Sequence, residues 1–94
     1  MGVLVLLEMD GPTEVVLAAA YDLEARRPTP FKLAQSIAPT ESGVVVATFW
    51  TSAEDRDAYQ SEPEHREALQ STGLLGAVTE MRSRVFEDAT LRLV

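Results

Sequence analysis

The run Val3-Leu4-Val5-Leu6-Leu7 is aliphatic without interruption, and it ends at Glu8 and then at Asp10-Gly11-Pro12. A short, near-continuous apolar segment bounded by turn residues reads as a strand covered on both faces. Val3–Met9 therefore calls for a layer above and a layer below, in a chain with few segments to supply them. Pro12 fits the first turn of a helix, where its missing N–H costs nothing. From Thr13 to Arg27, the residues Val16, Ala19, Ala20 and Leu23 recur at helical spacing. Asp22 and Arg26 form an i,i+4 pair, and Arg26-Arg27 complement the C-terminal end of the helix dipole. Pro28 and Pro30 end the helix.

The stretch that follows, from Phe31 to Trp50, reads as two strands joined by Pro39-Thr40-Glu41-Ser42-Gly43. Phe31, Leu33 and Ile37 alternate on the first, with Gln35 among them. The second, Val44–Trp50, is β-branched and aromatic, as a central strand should be. Ser52-Ala53-Glu54-Asp55 has the form of a capping box with Asp in its fourth place, and Ser61-Glu62-Pro63-Glu64 repeats the signal. Two short helices, or one reset at Ser61, are expected to end at Gly73. Ala77–Phe86 alternates as a strand with one wetter face, and Ala89–Val94 suggests a short additional strand.

The order β-α-β-β-α-β, in a single domain spanning residues 1–94, predicts an α+β fold: a ferredoxin-like sandwich with both helices on one face of an antiparallel sheet. The other face has no cover within the chain, yet Val, Leu and Phe are too plentiful for it to stay wet. The expected remedy is a homodimer packed sheet against sheet.

Composition narrows the chemistry. The 94 residues include no Cys and one His, which removes disulfides, thiolate sites and a Cys nucleophile, and argues against a multi-histidine metal or haem site. No glycine-rich phosphate loop is present, so no cofactor and no metal are expected. Eight basic against fifteen acidic residues give a net charge of −7, with Arg26-Arg27 the sole adjacent basic pair. That balance argues against nucleic acid and anionic membranes as partners and suits a cytoplasmic protein. The N-terminal stretch lacks a basic leader, and its apolar run is too short to span a membrane.

The segment Phe49–Leu69, "FWTSAEDRDAYQSEPEHREAL", contains the one Trp and the one His of the chain. A strand ending in Trp, an acid-rich helix start, then "SEP" and a further helical turn resembles the antibiotic-biosynthesis monooxygenase-like family of the dimeric α/β-barrel superfamily. Trp50 matches the family's strand-ending Trp, and Ala58 lies in its alanine-containing helix. Tyr59 stands where a His usually falls. Ser61 and Pro63 match "S-x-P", and His65 follows with a one-residue offset. The resemblance implies a ferredoxin-like dimer and a cofactor-independent monooxygenase acting on a small aromatic or polyketide-like molecule. A polyketide cyclase or isomerase, or a non-catalytic ligand-binding or accessory module, is the alternative on the same scaffold. Leu69 stands where the family's haem degraders carry their axial His, so haem breakdown is not expected.

Each candidate residue has two readings. Trp50 is either a stacking wall for a flat substrate or a core aromatic at a strand end. Tyr59 either orients a substrate oxygen or packs helix on sheet. His65 shares a helical face with Leu69 and Thr72, and is either a general base or a partly exposed helix residue beside Glu62 and Glu64. Gln35 needs a hydrogen-bond partner, from a ligand or from another side chain. Tyr21 is a further polar candidate for substrate binding. The acidic run Glu54, Asp55, Asp57, Glu62, Glu64 and Glu67 reads as a solvated face.

Overall fold

The apolar run near the N-terminus becomes β1 (Gly2–Asp10), a central strand of a four-stranded antiparallel sheet. The computed structural model describes residues 2–94. After β1 come α1 (Thr13–Arg26), β2 (Lys32–Pro39), β3 (Gly43–Trp50), α2 (Ala53–Ser61), α3 (Pro63–Ser71), the short α4 (Leu74–Ala77) and β4 (Glu80–Ala89). The strand order β2-β3-β1-β4 is that of the ferredoxin-like α+β fold, as the element order predicts.

Register decides which side chains meet the helices. Val5 lies between Thr48 and Val85, Leu7 between Val46 and Ser83, and Met9 between Val44 and Met81, all on the helix side. Leu4, Leu6 and Glu8 point the other way, beside Phe49, Ala47 and Val45 on β3 and Phe86, Arg84 and Arg82 on β4. One end of that outer face is charged. Arg82 bonds Asp10 at 2.9 Å and Glu8 at 3.1 Å, which holds the Asp10 carboxyl below its usual range. The rest is mainly apolar, with Arg84 beside Leu6, and residues 89–92 line a groove there with Leu4, Ala34 and Phe49.

The helical layer rests on β2 and β3 rather than evenly across the sheet. On β4 the helix-side residues Met81 and Val85 stay 47% and 46% exposed. The core divides accordingly. One cluster joins Met9, Val16, Ala19, Ala20, Val44, Val46 and Leu74, and a second joins Val3, Val5, Trp50 and Tyr59.

Local signals mostly act where the sequence places them. The Ser52 hydroxyl accepts from the Asp55 N–H at 3.1 Å, capping α2. Pro63 opens α3, but the residue at its cap is Glu62 rather than Ser61, which remains the last residue of α2. Gly73 adopts a left-handed φ of 76°, ending the α3 turn where only glycine is unstrained.

Three expectations are corrected. Ala77 belongs to α4, so the last strand starts at Glu80 and runs on to Ala89. Residues 90–94 form no strand; of the stretch from Ala89 to Val94 only Ala89 is in one, as the last residue of β4, paired with Gly2. Phe31 and Leu33 are exposed, since a register shift between Lys32 and Ala34 breaks the alternation that grouped them with Ile37.

Gly43 pairs with Asp10 across the sheet, and a Cβ there would collide with the Met9 carbonyl oxygen. Gly76 in α4 faces nothing within 4 Å. Gly43→Ala must therefore displace backbone and should lower the thermal midpoint clearly. Gly76→Ala should raise stability by roughly 0.5 kcal/mol, as at an unstrained helical glycine. Thermal unfolding of the two variants beside the parent checks both signs.

Candidate functional site

The gap between the two core clusters is a half-enclosed cleft of about 370 Å³. Its floor is the sheet, through Val5, Leu7, Met9, Val46, Thr48 and Trp50, and its far wall is β4, through Met81 and Ser83. Helical residues close it from above, among them Leu23, Arg56, Tyr59, His65, Leu69 and Leu74. A surface groove beside Glu14, Val15, Asp22 and Thr72 is larger, at about 460 Å³, but it is open and has no aromatic or cationic lining. The central cleft is mostly apolar with a few convergent polar groups, the usual make-up of a small-molecule site.

Three of the five sequence candidates meet in this cleft. Trp50 and Tyr59 are buried, at 3% and 6% exposure. Their ring centroids lie 5.2 Å apart, and Tyr59 continues to His65 at 5.3 Å. These tilted contacts make one aromatic ladder from the end of β3 through α2 to α3. The other two candidates lie elsewhere. Tyr21 is 56% exposed on α1 and is not among the residues lining the cleft. Gln35 is exposed on β2, where its Oε1 accepts from Lys32 Nζ at 3.2 Å. The amide thus has its partner in another side chain.

The polar ends of the two buried rings are already engaged. Trp50 Nε1 donates to Thr48 Oγ1 at 2.9 Å. The Tyr59 hydroxyl donates to the Arg27 carbonyl at 2.8 Å. Burial, the largest influence, raises the Tyr59 pKa and keeps the phenol protonated. Arg27 answers with Nη1 on the Tyr59 carbonyl at 3.3 Å, and its guanidinium lies 4.2 Å from the Tyr59 ring centroid. Its Nη2 reaches Glu62 at 2.9 Å.

Two cationic residues line the cleft, and neither is among the candidates read from the sequence. Lys32 Nζ sits 2.7 Å from both Glu24 oxygens and 5.2 Å from the Trp50 ring centroid, so its charge is matched. Arg56 differs. Its side chain is 19% exposed and its nearest carboxylate oxygen, on Asp57, is 4.0 Å away. Its Nε is buried without a hydrogen-bond partner, and so is His65 Nδ1. One signal was present in the sequence: Arg56 is the sole Lys or Arg between Thr51 and His65, three residues before Tyr59 and hence on its helical face.

Burial also lowers the His65 pKa, with the Arg27 and Lys32 charges acting in the same direction and Glu24 and Glu62 opposing. The imidazole is therefore neutral at pH 7 and able to accept a proton. Among the described residues no group of three or more His, Cys, Asp or Glu side chains is placed to hold a metal ion. No helix among them is long and apolar enough to cross a membrane.

No protein-family model and no curated protein sequence matches the chain. Solved structures do. A dimeric ferredoxin-like protein of unknown function from Thermobifida fusca is 18% identical, with a TM-score of 0.68 over 92% of this chain and 90% of that one. SnoaB, a cofactor-independent oxygenase from Streptomyces nogalater, is 14% identical, with a TM-score of 0.66 over 99% and 95%. A protein from Chloroflexus aurantiacus, described provisionally as an antibiotic biosynthesis monooxygenase, is 16% identical, with a TM-score of 0.67 over 96% and 97%. The ferredoxin-like fold is thereby established, and its solved examples include proteins of the antibiotic-biosynthesis monooxygenase type.

The lowered His65 pKa has a consequence for stability. Between the ordinary value and the lowered one, the unfolded chain takes up a proton that the folded chain refuses. Stability contributed by this residue is present above pH 6.5 and is lost as pH falls through that window. Wild type should therefore lose thermal stability faster than His65→Gln between pH 7 and 5. Parallel melts across that range, compared as a difference between the two proteins, check the sign.

Proposed function

We propose that this chain is a homodimeric, cofactor-independent monooxygenase of the antibiotic-biosynthesis type, acting on a small, flat aromatic or enolic molecule. The observation that carries the reading is the convergence of Trp50, Tyr59 and His65 on one cleft between sheet and helices. The likeness to SnoaB, described as a cofactor-independent oxygenase, supports the reaction type.

In this reading Trp50 and the cleft's aliphatic walls hold the substrate plane, and Tyr59 positions His65 through ring contact rather than through its engaged hydroxyl. Neutral His65 removes a proton from an activated CH₂, leaving an enolate. The enolate carbon gives its electrons to dioxygen and forms a C–O bond, and His65 returns the proton to the peroxide. Loss of the second C–H proton with cleavage of the O–O bond leaves a ketone and one water. The CH₂ is oxidised, dioxygen is reduced, and no other redox partner is required. A largely apolar cleft favours the anion's reaction over its reprotonation by solvent.

A second reading, a non-catalytic ligand-binding module, draws on one specific observation. The Trp50 N–H and Tyr59 O–H are both spent on internal bonds, as packing residues would spend them.

Oxygen uptake with anthrone-like and enolic substrates separates the two. Uptake should fall on the order of a hundredfold in His65→Ala, the low end for one acid–base group. In wild type kcat/KM should decline only as pH drops below about 6.5, because the His65 pKa is lowered rather than raised. Inert substrates throughout, or an unaffected His65→Ala, would leave the binding module standing.

The homodimer rests on the mainly apolar outer face of the sheet, where Phe86 stays exposed, and on the dimeric description of the Thermobifida fusca structure. Sedimentation at micromolar concentration should give twice the chain mass, and Leu6→Glu, in the middle of that face, should shift it toward the monomer. A monomeric wild type would remove the interface.

A further inference from the structure

We infer that Arg56 is the anion anchor of the cleft, and that the molecule bound there is a planar organic anion whose charged oxygen is held by this guanidinium. The inference rests on the cleft being a ligand site and adds a residue and a charge requirement to that reading.

Four observations converge. Arg56 lines the cleft beside Trp50, Tyr59 and His65. The neighbouring cations are matched at close range, Lys32 by Glu24 at 2.7 Å and Arg27 by Glu62 at 2.9 Å. Arg56 has only Asp57, at 4.0 Å, a distance at which no hydrogen bond forms, and Asp57 is itself exposed to water. The Arg56 Nε is buried among the described residues with no hydrogen-bond partner. A guanidinium in that condition, four-fifths removed from solvent, is costly unless something accepts from it.

Its partner must be an acceptor carrying negative charge, and the planar fork of Arg suits a carboxylate or another oxyanion. His65, whose Nδ1 is the second buried nitrogen without a partner, lines the same cleft. The aromatic ladder beside them selects a flat body. In a protein of net charge −7, an anionic ligand gains little from the overall field, so the local cation must supply its attraction.

The one Trp of the chain lies in the cleft, so ligand binding can be read from its emission. The probes are 2-naphthoate and its neutral counterpart 2-naphthamide, titrated into the full chain. Wild type should bind the carboxylate at least tenfold more tightly. Arg56→Gln should abolish that preference while leaving naphthamide binding unchanged, and Arg66→Gln, the same charge loss at an exposed position of α3 outside the cleft lining, should alter neither. If Arg56→Gln fails to fold by circular dichroism, Arg56→Lys decides, since a point charge in place of the fork should cut the preference several-fold. Equal wild-type affinity for the two probes overturns the anchor while leaving the cleft as a ligand site. A preference undiminished in the folded Arg56 variant does the same. Absence of any response to either probe overturns both. Probe binding with the charge preference, alongside inert oxygenation assays, would sink the oxygenase and keep the anchor.

Discussion

The reciprocal clasp between Arg27 and Tyr59 sets the spacing on which the cleft depends. Arg27 lies just past the C-terminus of α1, and Tyr59 lies near the end of α2, distant in sequence. Each binds the other's backbone carbonyl, Tyr59 through its hydroxyl and Arg27 through its guanidinium, while the cation also covers the ring. Glu62 then anchors the same guanidinium from the start of α3. A pair of exposed charges would contribute little, but here the Arg27 side chain is largely shielded and its contacts share one partner. The first and second halves of the helical layer are therefore fixed relative to each other without filling the space beneath them.

That space divides the core. A chain this short has little apolar area to spare, and an unfilled cleft forgoes packing contacts that a continuous core would make. The helices sit over β2 and β3, leaving the helix side of β4 with Met81 and Val85 open. Four hydrophobic residues that line the cleft, Leu7, Leu23, Ile37 and Leu69, are only partly buried for that reason. Such an arrangement gives up packing contacts and leaves a shaped apolar surface.

The cleft's electrostatics follow from which side chains found internal partners. Trp50 and Tyr59 look like the chemical residues when only their types are known, but both are satisfied by nearby oxygens. The cleft nitrogens without an internal partner thus lie on Arg56 and His65, while the polar ends of the aromatic pair are engaged.

Strand periodicity, turn residues and caps are local, so the α+β order, the Ser52 cap and the stop at Gly73 were legible in the amino-acid sequence. Trp50, Tyr59 and His65 were candidates by residue type, but their meeting in one cleft is decided by the tertiary structure. Other features depend on contacts between distant segments. The register shift before Ala34 turned Phe31 and Leu33 outward, and pairing with β1 carried β4 on to Ala89. Gln35 found Lys32, and Tyr21 stayed in solvent because α1 buries the opposite stripe of Val16, Ala19 and Ala20. Arg56 shows the boundary most clearly. Its sequence placed it on the face of α2 shared with Tyr59. Only the tertiary structure could decide that Glu24 and Glu62 would be taken by Lys32 and Arg27, leaving its charge with no close partner inside the chain.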